Sequence, residues 1–479
     1  MSRQTRPWLL LTIACVAQYL IPVMVTGVAV ILPSAGRDLH ASALQLGLVE
    51  QTYVLATAVS MLFFGRLGDI FGWRRIYIVG FVCFSATTGV LGLAPDIETL
   101  ILVRALQGLS AASLLSGSVA LVSLAYPPDR RGKKIGILQA FIYGGLSSGP
   151  LIGGFVASSL GWRSLFWLFV PFGLAGAVLC LVGLHVAPTA GQGRRTVDWK
   201  GAALYALGLS LLAGGASHAD KGLAGLLAVV LGAAILWAFC RLQSRTAAPL
   251  LDLHEIVHNR TFALSCLAAM GNYASTFGLT FFMSLYLQYS MNLSPTMAGV
   301  VLLCMPVTQM LASPFVGRLA DKRSPVPLAT CGMAVTCLGL VAAAATLDAA
   351  MPLPLLVVEL LCIGAGYGIF ITPNTMIIMG SVPRERYGLA SGMVGTMRTL
   401  GMVLSMTTIT VLLSLCLSGR PVGQETMPAF LACMRLGLCI LALYSLLGIV
   451  TSSRRSQPAD GESSSSSHHA TAKASRVSS

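Results

Sequence analysis

Long apolar runs separated by short polar segments make up almost the whole chain. Most runs approach or exceed the ~20 residues that an α-helix needs to cross a bilayer. They lie at about 8–33, 46–64, 76–94, 99–125, 135–159, 163–186, 201–217, 222–240, 262–289, 297–316, 326–347, 353–381, 389–417 and 429–450. This pattern predicts an all-α, polytopic membrane protein with about fourteen transmembrane helices.

The polar segments differ in charge according to their order. Every second segment is rich in Lys and Arg, for example 74–75, 130–134 and 454–455, and the intervening segments contain few cations. Basic segments flanking a span stay in the cytoplasm. We therefore expect both termini in the cytoplasm and the chain in the inner cell membrane, crossing it many times.

Composition agrees with a membrane protein and limits the other classes. Hydrophobic residues make up 55% of the 479 residues and charged residues 10%, whereas soluble domains carry about 25% charged residues. The mean hydropathy is +0.79. The net charge of +14 follows from the basic alternate segments, so we expect the lipid bilayer as a partner and no nucleic acid.

The twelve cysteines are mostly scattered singly through apolar runs. Their spacing matches neither a disulfide framework nor a metal site. We expect no metal, no cofactor and no catalytic residue.

The polar segment between the second and third runs is suited to a tight, charged turn. Its glycines let two helix ends approach closely. Its carboxylate is favoured at a helix N-terminus, and its paired arginines favour the cytoplasmic side. The candidate gating residues here are Gly65, Asp69, Gly72, Arg74 and Arg75.

A shortened copy of this segment, with Gly317 and Asp321, follows another apolar run. Two copies indicate a duplicated bundle, which is common in transporters. The surplus run pair 201–240 lies between the copies. We expect a six-helix bundle at 1–187, an extra helix pair with linkers at 188–260, a second six-helix bundle at 261–450 and a disordered tail at 451–479.

The fourth run contains Arg104, and an arginine inside a membrane costs at least ~2.5–3.5 kcal/mol unless it faces a polar interior or a partner. An arginine reaching the interface from the helix end is the alternative. In the fifth run, three glycines recur every four residues and form a groove for another helix, and a proline interrupts the backbone hydrogen bonds. The residues of this run are Gly145, Gly149, Pro150, Gly153 and Gly154.

These segments resemble the major facilitator superfamily, and in particular its fourteen-helix drug:proton antiporter branch. The polar segment between the second and third runs is similar to the family pattern G-x-L-a-D-r-x-G-r-k. The fourth run is similar to l-x-x-x-R-x-x-q-G-x-g-a-a, and the fifth run to g-x-x-x-G-P-x-x-G-G, a pattern that marks exporters in this family. The resemblance covers roughly 10–450. It implies two six-helix bundles around a central cavity with an extra central helix pair. It also implies that Asp69 holds a cytoplasmic gate shut and that Arg104 takes part in proton coupling.

One departure concerns the proton site, because Met24 stands where this branch often carries an Asp in the first helix. Few acids then remain within the membrane. Glu359 lies about seven residues into its run, ~10 Å deep at 1.5 Å per residue. We expect Glu359 to carry the proton, with Glu50 next and Arg104 biasing its release; a structural ion pair is the alternative for Glu359. Gln18, Asn374 and Arg398 are candidates to line the cavity.

An enzyme alternative rests on His254-Glu255-Ile256-Val257-His258, which matches the zinc protease motif H-E-x-x-H. No third ligand is evident, and the segment lies in a linker before the second half. The sequence instead predicts a secondary active transporter, functional as a monomer, which exports a small amphipathic molecule or drug in exchange for protons. An importer or an uncoupled facilitator of the same fold is the alternative.

Overall fold

The computed structural model describes residues 7–126, 128–183, 198–218, 222–246, 250, 259–320, 322–349, 351–382, 387–417 and 420–455. Its long elements are fourteen α-helices, and a π-helical turn, Tyr286–Ser290, extends the ninth. The helices are α1 Pro7–Asp38, α2 Ala43–Phe71, α3 Trp73–Leu91, α4 Ile97–Ala125, α5 Pro128–Ser159, α6 Arg163–Gly183, α7 Trp199–Ser217, α8 Leu223–Gln243, α9 Arg260–Leu285, α10 Pro295–Ala320, α11 Pro325–Thr346, α12 Leu353–Gly380, α13 Tyr387–Leu417 and α14 Met427–Ser453. The predicted all-α polytopic fold is confirmed.

Within the described part of the chain, twelve of these helices are long and apolar enough to cross a membrane. The two exceptions are α7 and α9. Helix α9 contains Asn272, Ser275 and Thr276, whose side chains are buried against other helices. Polar residues packed against protein avoid the cost of contact with lipid. The fourteen helices match the number of runs, and fourteen crossings stay a prediction.

The helices pack in two groups with contacts between them. In the first group α1 lies along α5, α2 along α4 and α3 along α6. In the second group α12 packs against α10 and α11, and α9 against α13 and α14. The pairs α5–α10, α2–α13 and α1–α9 join the groups. The apolar window of α1 is 83% buried and that of α8 is 17% buried, so α1 is central and α8 is peripheral.

The helix assembly has two ends. We call the end at which α1 begins and α14 ends the terminal face, and the opposite end the distal face. The odd-numbered helices run from the terminal face to the distal face, and the even-numbered helices run in the opposite direction.

Helix α7 of the extra pair joins both groups through a buried cluster of amide and hydroxyl groups. The Gln51 side-chain amide of α2 donates to Ser217 of α7 at 2.8 Å and to Thr407 of α13 at 3.0 Å. Thr410 of α13 donates to the Gln51 side-chain oxygen at 3.0 Å. Fully satisfied buried polar clusters fix the arrangement of their helices, so α7 is an integral part of the α2–α13 contact.

The predicted turn between the second and third runs is shorter than its charged segment suggested. Helix α2 continues to Phe71, and only Gly72 lies between α2 and α3. Gly72 has φ 87°, a left-handed conformation that glycine adopts without strain. A Cβ on Gly68 or Gly117 would collide with the Trp73 ring. The close approach at these glycines lets one residue make the turn.

Candidate functional site

A cavity lies between the two helix groups. It contains about 730 Å³ of space outside the protein atoms, part of it open solvent. It is lined by Val25, Thr26, Ala29, Glu50, Leu146, Pro150, Tyr273, Thr276, Phe277, Thr280, Phe281, Leu302, Met305, Pro306, Gln309, Tyr367, Met402 and Met406. Most of these side chains are apolar or aromatic, so the cavity suits an amphipathic ligand.

Glu50 is the carboxylate of the lining, and it pairs with Arg104. The terminal nitrogen Nη2 of Arg104 lies 3.2 Å from both carboxylate oxygens of Glu50. Glu50 is 2% exposed and Arg104 is 0% exposed. A buried ion pair is sensitive to the loss of either charge, because the remaining charge has no water around it. The pair therefore connects the protonation of Glu50 with the electrostatics of the cavity wall.

Three further side chains hold Arg104 in place. Its Nη1 donates to the Gln107 side-chain oxygen at 2.8 Å, and the Gln107 amide donates to Thr88 on α3 at 2.7 Å. The guanidinium carbon lies 4.1 Å from the centre of the Tyr53 ring, which is within cation–π range. Side chains of α2 and α4 thus contact the guanidinium, and α3 supports it through Gln107. Of the two charged partners, Glu50 is the one that lines the cavity.

Glu359, the other predicted proton carrier, is near the distal face between α11 and α12. It is 5% exposed, accepts a hydrogen bond from Thr346 at 2.7 Å, and is not part of the cavity lining. Within the described residues no cation lies within ion-pair distance of its carboxylate. The geometry therefore favours Glu50 over Glu359 for proton coupling, the reverse of the order expected from depth alone.

Glu359→Gln is expected to leave uphill transport within about twofold of wild type, because an amide oxygen can still accept the Thr346 hydrogen bond. The measurement is gradient-driven substrate accumulation in vesicles, compared with downhill exchange by the same protein. Glu359→Leu, which removes the acceptor, serves as a control for packing. Loss of accumulation with intact downhill exchange in Glu359→Gln would identify Glu359 as the proton carrier.

The glycines of α5 face two different helices. Cβ atoms on Gly145, Gly149 and Gly153 would meet the carbonyl oxygens of α1. A Cβ on Gly154 would meet the Pro295 carbonyl at the start of α10, and one on Gly299 would meet that of Pro150. Helix α5 is thus packed backbone to backbone with α1 on one side and with α10 on the other.

Hydrogen bonds between the two helix groups are frequent on the distal side of the cavity. Ser284 donates to the carbonyl of Ala29 at 2.7 Å, and Gln288 donates to that of Val30 at 2.8 Å. The Tyr289 hydroxyl donates to a further α1 carbonyl at 3.1 Å. The π-helical turn after α9 carries two of these donors, so this departure from regular α-helix joins the groups at the distal end.

The remaining predicted residues lie outside the cavity lining. Gln18 is buried in α1. Asn374 is buried, and its amide donates to the Ser265 carbonyl of α9 at 3.3 Å, so it joins two helices. Arg398 lies one helical turn from the lining residue Met402.

The gating candidates among the described residues lie at the terminal face. Arg74 donates to the Leu181 carbonyl at 3.1 Å, and Arg75 is exposed. Gly65 lies within α2 and Gly317 near the end of α10. The Asp69 side chain and Asp321 lie outside the described residues, so the gate stays a prediction.

The H-E-x-x-H segment also lies outside the described residues. Within the part of the chain that is described, no three His, Cys, Asp or Glu side chains are grouped closely enough to share a metal ion.

Sequence reasoning missed most of the cavity wall. Tyr273, Thr276 and Thr280 of α9 line it, and Gln51 joins three helices. The polar residues within the apolar run 262–289 are a signal that could have indicated α9, because such residues face a protein interior or a cavity. No comparable signal separates the lining residues of α10 from its lipid-facing residues.

Comparisons with known proteins agree on one family. The sequence profile of the Major Facilitator Superfamily matches residues 14–406. The chain is 29% identical to the riboflavin transporter RibZ of Clostridioides difficile, over 83% of this chain and 86% of that protein. It is 32% identical to the drug efflux pump JefA of Mycobacterium tuberculosis, over 80% and 76%. It is 29% identical to the tetracenomycin C resistance and export protein of Streptomyces glaucescens, over 81% and 72%.

A solved structure shares the fold at lower sequence identity. It is a bacterial homologue of the human lysosomal transporter Spinster, in an inward-facing and unoccupied conformation. The TM-score is 0.66 at 16% identity, and the match covers 96% of this chain and all of that one. The family profile spans most of the chain, and this family consists of transporters rather than enzymes. The protein is a multi-pass membrane transporter of the Major Facilitator Superfamily.

Proposed function

We propose that this transporter exports a small amphipathic molecule in exchange for protons. The observation that carries the proposal is the Glu50–Arg104 pair in the wall of an otherwise mostly apolar cavity. A carboxylate that faces both the cavity and a buried cation can gain or lose a proton as the cavity changes its access. The apolar and aromatic lining supports an amphipathic substrate.

The coupling follows from the charge of Glu50. When Glu50 is ionised, it neutralises Arg104. A proton on Glu50 removes that attraction and leaves the guanidinium with Gln107 and the Tyr53 ring. The two protonation states therefore favour different arrangements of α2 and α4, as a two-state transporter requires.

Direction and orientation rest on separate arguments. The glycine-rich α5 resembles that of exporters, and two of the relatives named above are called an efflux pump and an export protein. The basic segments support placing the terminal face in the cytoplasm and the chain in the inner membrane. The two six-helix halves, 1–187 and 261–450, are proposed to rock about the cavity, with Asp69 at the cytoplasmic gate and the monomer as the working unit.

The test uses the full chain in proteoliposomes with an imposed pH gradient. We expect accumulation of a fluorescent amphipathic dye against its concentration gradient, and loss of this accumulation when a protonophore is added. Transport only down the dye gradient, insensitive to the protonophore, would identify an uncoupled facilitator. Accumulation in the direction of the proton flux would identify an importer. Dye binding without flux would contradict transport altogether.

A further inference from the structure

Arg398 is a charged residue that the coupling mechanism does not use. It lies four residues before Met402 on α13, so its side chain is on the same helix face as this lining residue, one turn nearer the terminal face. It is half-buried. Among the described residues, no carboxylate lies within ion-pair distance of its guanidinium. A cation without a partner inside a transporter points to a ligand pathway.

Two tyrosines interact electrostatically with Arg398, and a third packs against one of them. The rings of Tyr273 and Tyr367 meet edge to face, 5.7 Å between centres at 82°, and both residues line the cavity. Arg398 is close enough to interact electrostatically with Tyr367 and with Tyr143 of α5. Tyr143 is also within hydrogen-bonding reach of Ser313 on α10. Helices of both groups thus place a phenol group within electrostatic reach of one guanidinium.

The balance of charge around the cavity follows from these positions. Glu50 and Arg104 neutralise each other within the wall, whereas no carboxylate of the described residues lies within ion-pair distance of Arg398. Gln51, the neighbour of Glu50, bonds to Thr407 on α13. Arg398 is nine residues before Thr407, about 13 Å at 1.5 Å per residue. Arg398 is therefore displaced from the ion pair towards the terminal face, along the axis of α13.

We propose that Arg398, with the hydroxyls of Tyr143 and Tyr367, forms an anion subsite at the terminal end of the cavity. It binds the carboxylate or sulfonate of an amphipathic substrate whose flat apolar part lies against Phe277, Phe281 and the methionines of the lining. Guanidinium and phenol donors match a planar carboxylate. The inference rests on the proposed function, because it takes this cavity as the transport site. It names the substrate class as organic anions rather than lipophilic cations.

The test compares three probes of one shape, anthracene-2-carboxylate, its neutral methyl ester and the 2-aminomethyl cation. Binding is measured by fluorescence anisotropy with the full chain in nanodiscs of zwitterionic lipid, so that no anionic lipid competes. We expect wild type to bind the carboxylate at least about tenfold more tightly than the ester or the cation, as for a charge-assisted hydrogen bond. Arg398→Gln should remove that preference, and Arg398→Lys should retain most of it.

The matched control is Arg454→Gln, an exposed arginine at the terminal face, which should bind all three probes as wild type does. Tyr143→Phe and Tyr367→Phe should each weaken binding of the carboxylate about threefold and leave the ester unchanged. These two variants carry the test if Arg398→Gln does not fold.

Several results would overturn the anion subsite. These are absence of carboxylate binding by wild type, preference for the cation, and unchanged carboxylate binding in Arg398→Gln or, if that variant does not fold, in both phenylalanine variants. The proposed function fails separately. If the carboxylate binds as expected but no probe crosses the proteoliposome membrane, the anion subsite is supported and the proposed export is contradicted. If a cationic dye is exported and the carboxylate is not bound, the proposed export is supported and the anion subsite is contradicted.

Discussion

Glu50→Gln is expected to abolish accumulation of substrate against its gradient while downhill exchange continues. Glutamine is close in shape and retains an oxygen that can accept a hydrogen bond from Arg104, but it can neither bind nor release a proton near neutral pH. If Glu50 is the proton carrier, the change separates flux from the pH gradient. The measurement is uphill accumulation and downhill exchange of the same dye in the same proteoliposomes.

A change in stability must be separated from a change in coupling, because removing one partner of a buried ion pair costs ~3–5 kcal/mol. The double variant Glu50→Gln/Arg104→Gln restores electrical neutrality in the wall and serves as the control. If the pair is only structural, the double variant should regain uphill accumulation. If Glu50 carries the proton, the double variant should fold as wild type does and still transport only downhill. Glu50→Asp should keep part of the coupling. Uphill accumulation by well-folded Glu50→Gln would contradict the proposal.

Gly149→Val is expected to eliminate transport and to lower the thermal stability of the protein. A Cβ at Gly149 would lie 2.8 Å from the Val23 carbonyl oxygen, and one at Gly153 would lie 2.6 Å from that of Gly27. Both atoms belong to the backbone of a buried helix and have little room to move. Overpacking of this kind costs ~1–3 kcal/mol or more. Gly153→Val should behave in the same way.

The neighbouring positions on α5 provide matched controls. Leu151 is 42% exposed and Ile152 is half-buried, so Leu151→Val and Ile152→Val should change transport and the unfolding temperature little. Gly154→Ala is informative for another reason, because its Cβ would press on α10 rather than α1. It should disturb the contact between the two helix groups more than the stability of the first group. Equal tolerance of valine at Gly149, Gly153, Leu151 and Ile152 would contradict the close-packing argument.

The fold could be predicted from the sequence because one constraint determines what a long apolar run becomes in a membrane. A backbone in lipid must satisfy its hydrogen bonds internally, so a long apolar run becomes a helix. All fourteen runs correspond to helices, and most predicted ends fall within a few residues of the observed ones. The main differences are at charged ends. Helix α2 ends several residues after its apolar run, and α5 begins several residues before its own. Polar residues outside the lipid do not end a helix.

The residues of the candidate site could be predicted only in part, because the length of an apolar run does not indicate which side of its helix faces which neighbour. Arg104 stood out as a costly charge within an apolar run, and Glu50 as one of few acids near the membrane. Their contact, across 54 positions of the chain, depends on how α2 lies against α4. Depth alone favoured Glu359, which lies between α11 and α12 and away from the cavity lining. The rotation of each helix about its axis, set by packing contacts such as those of the α5 glycines, determines which polar residues reach the cavity.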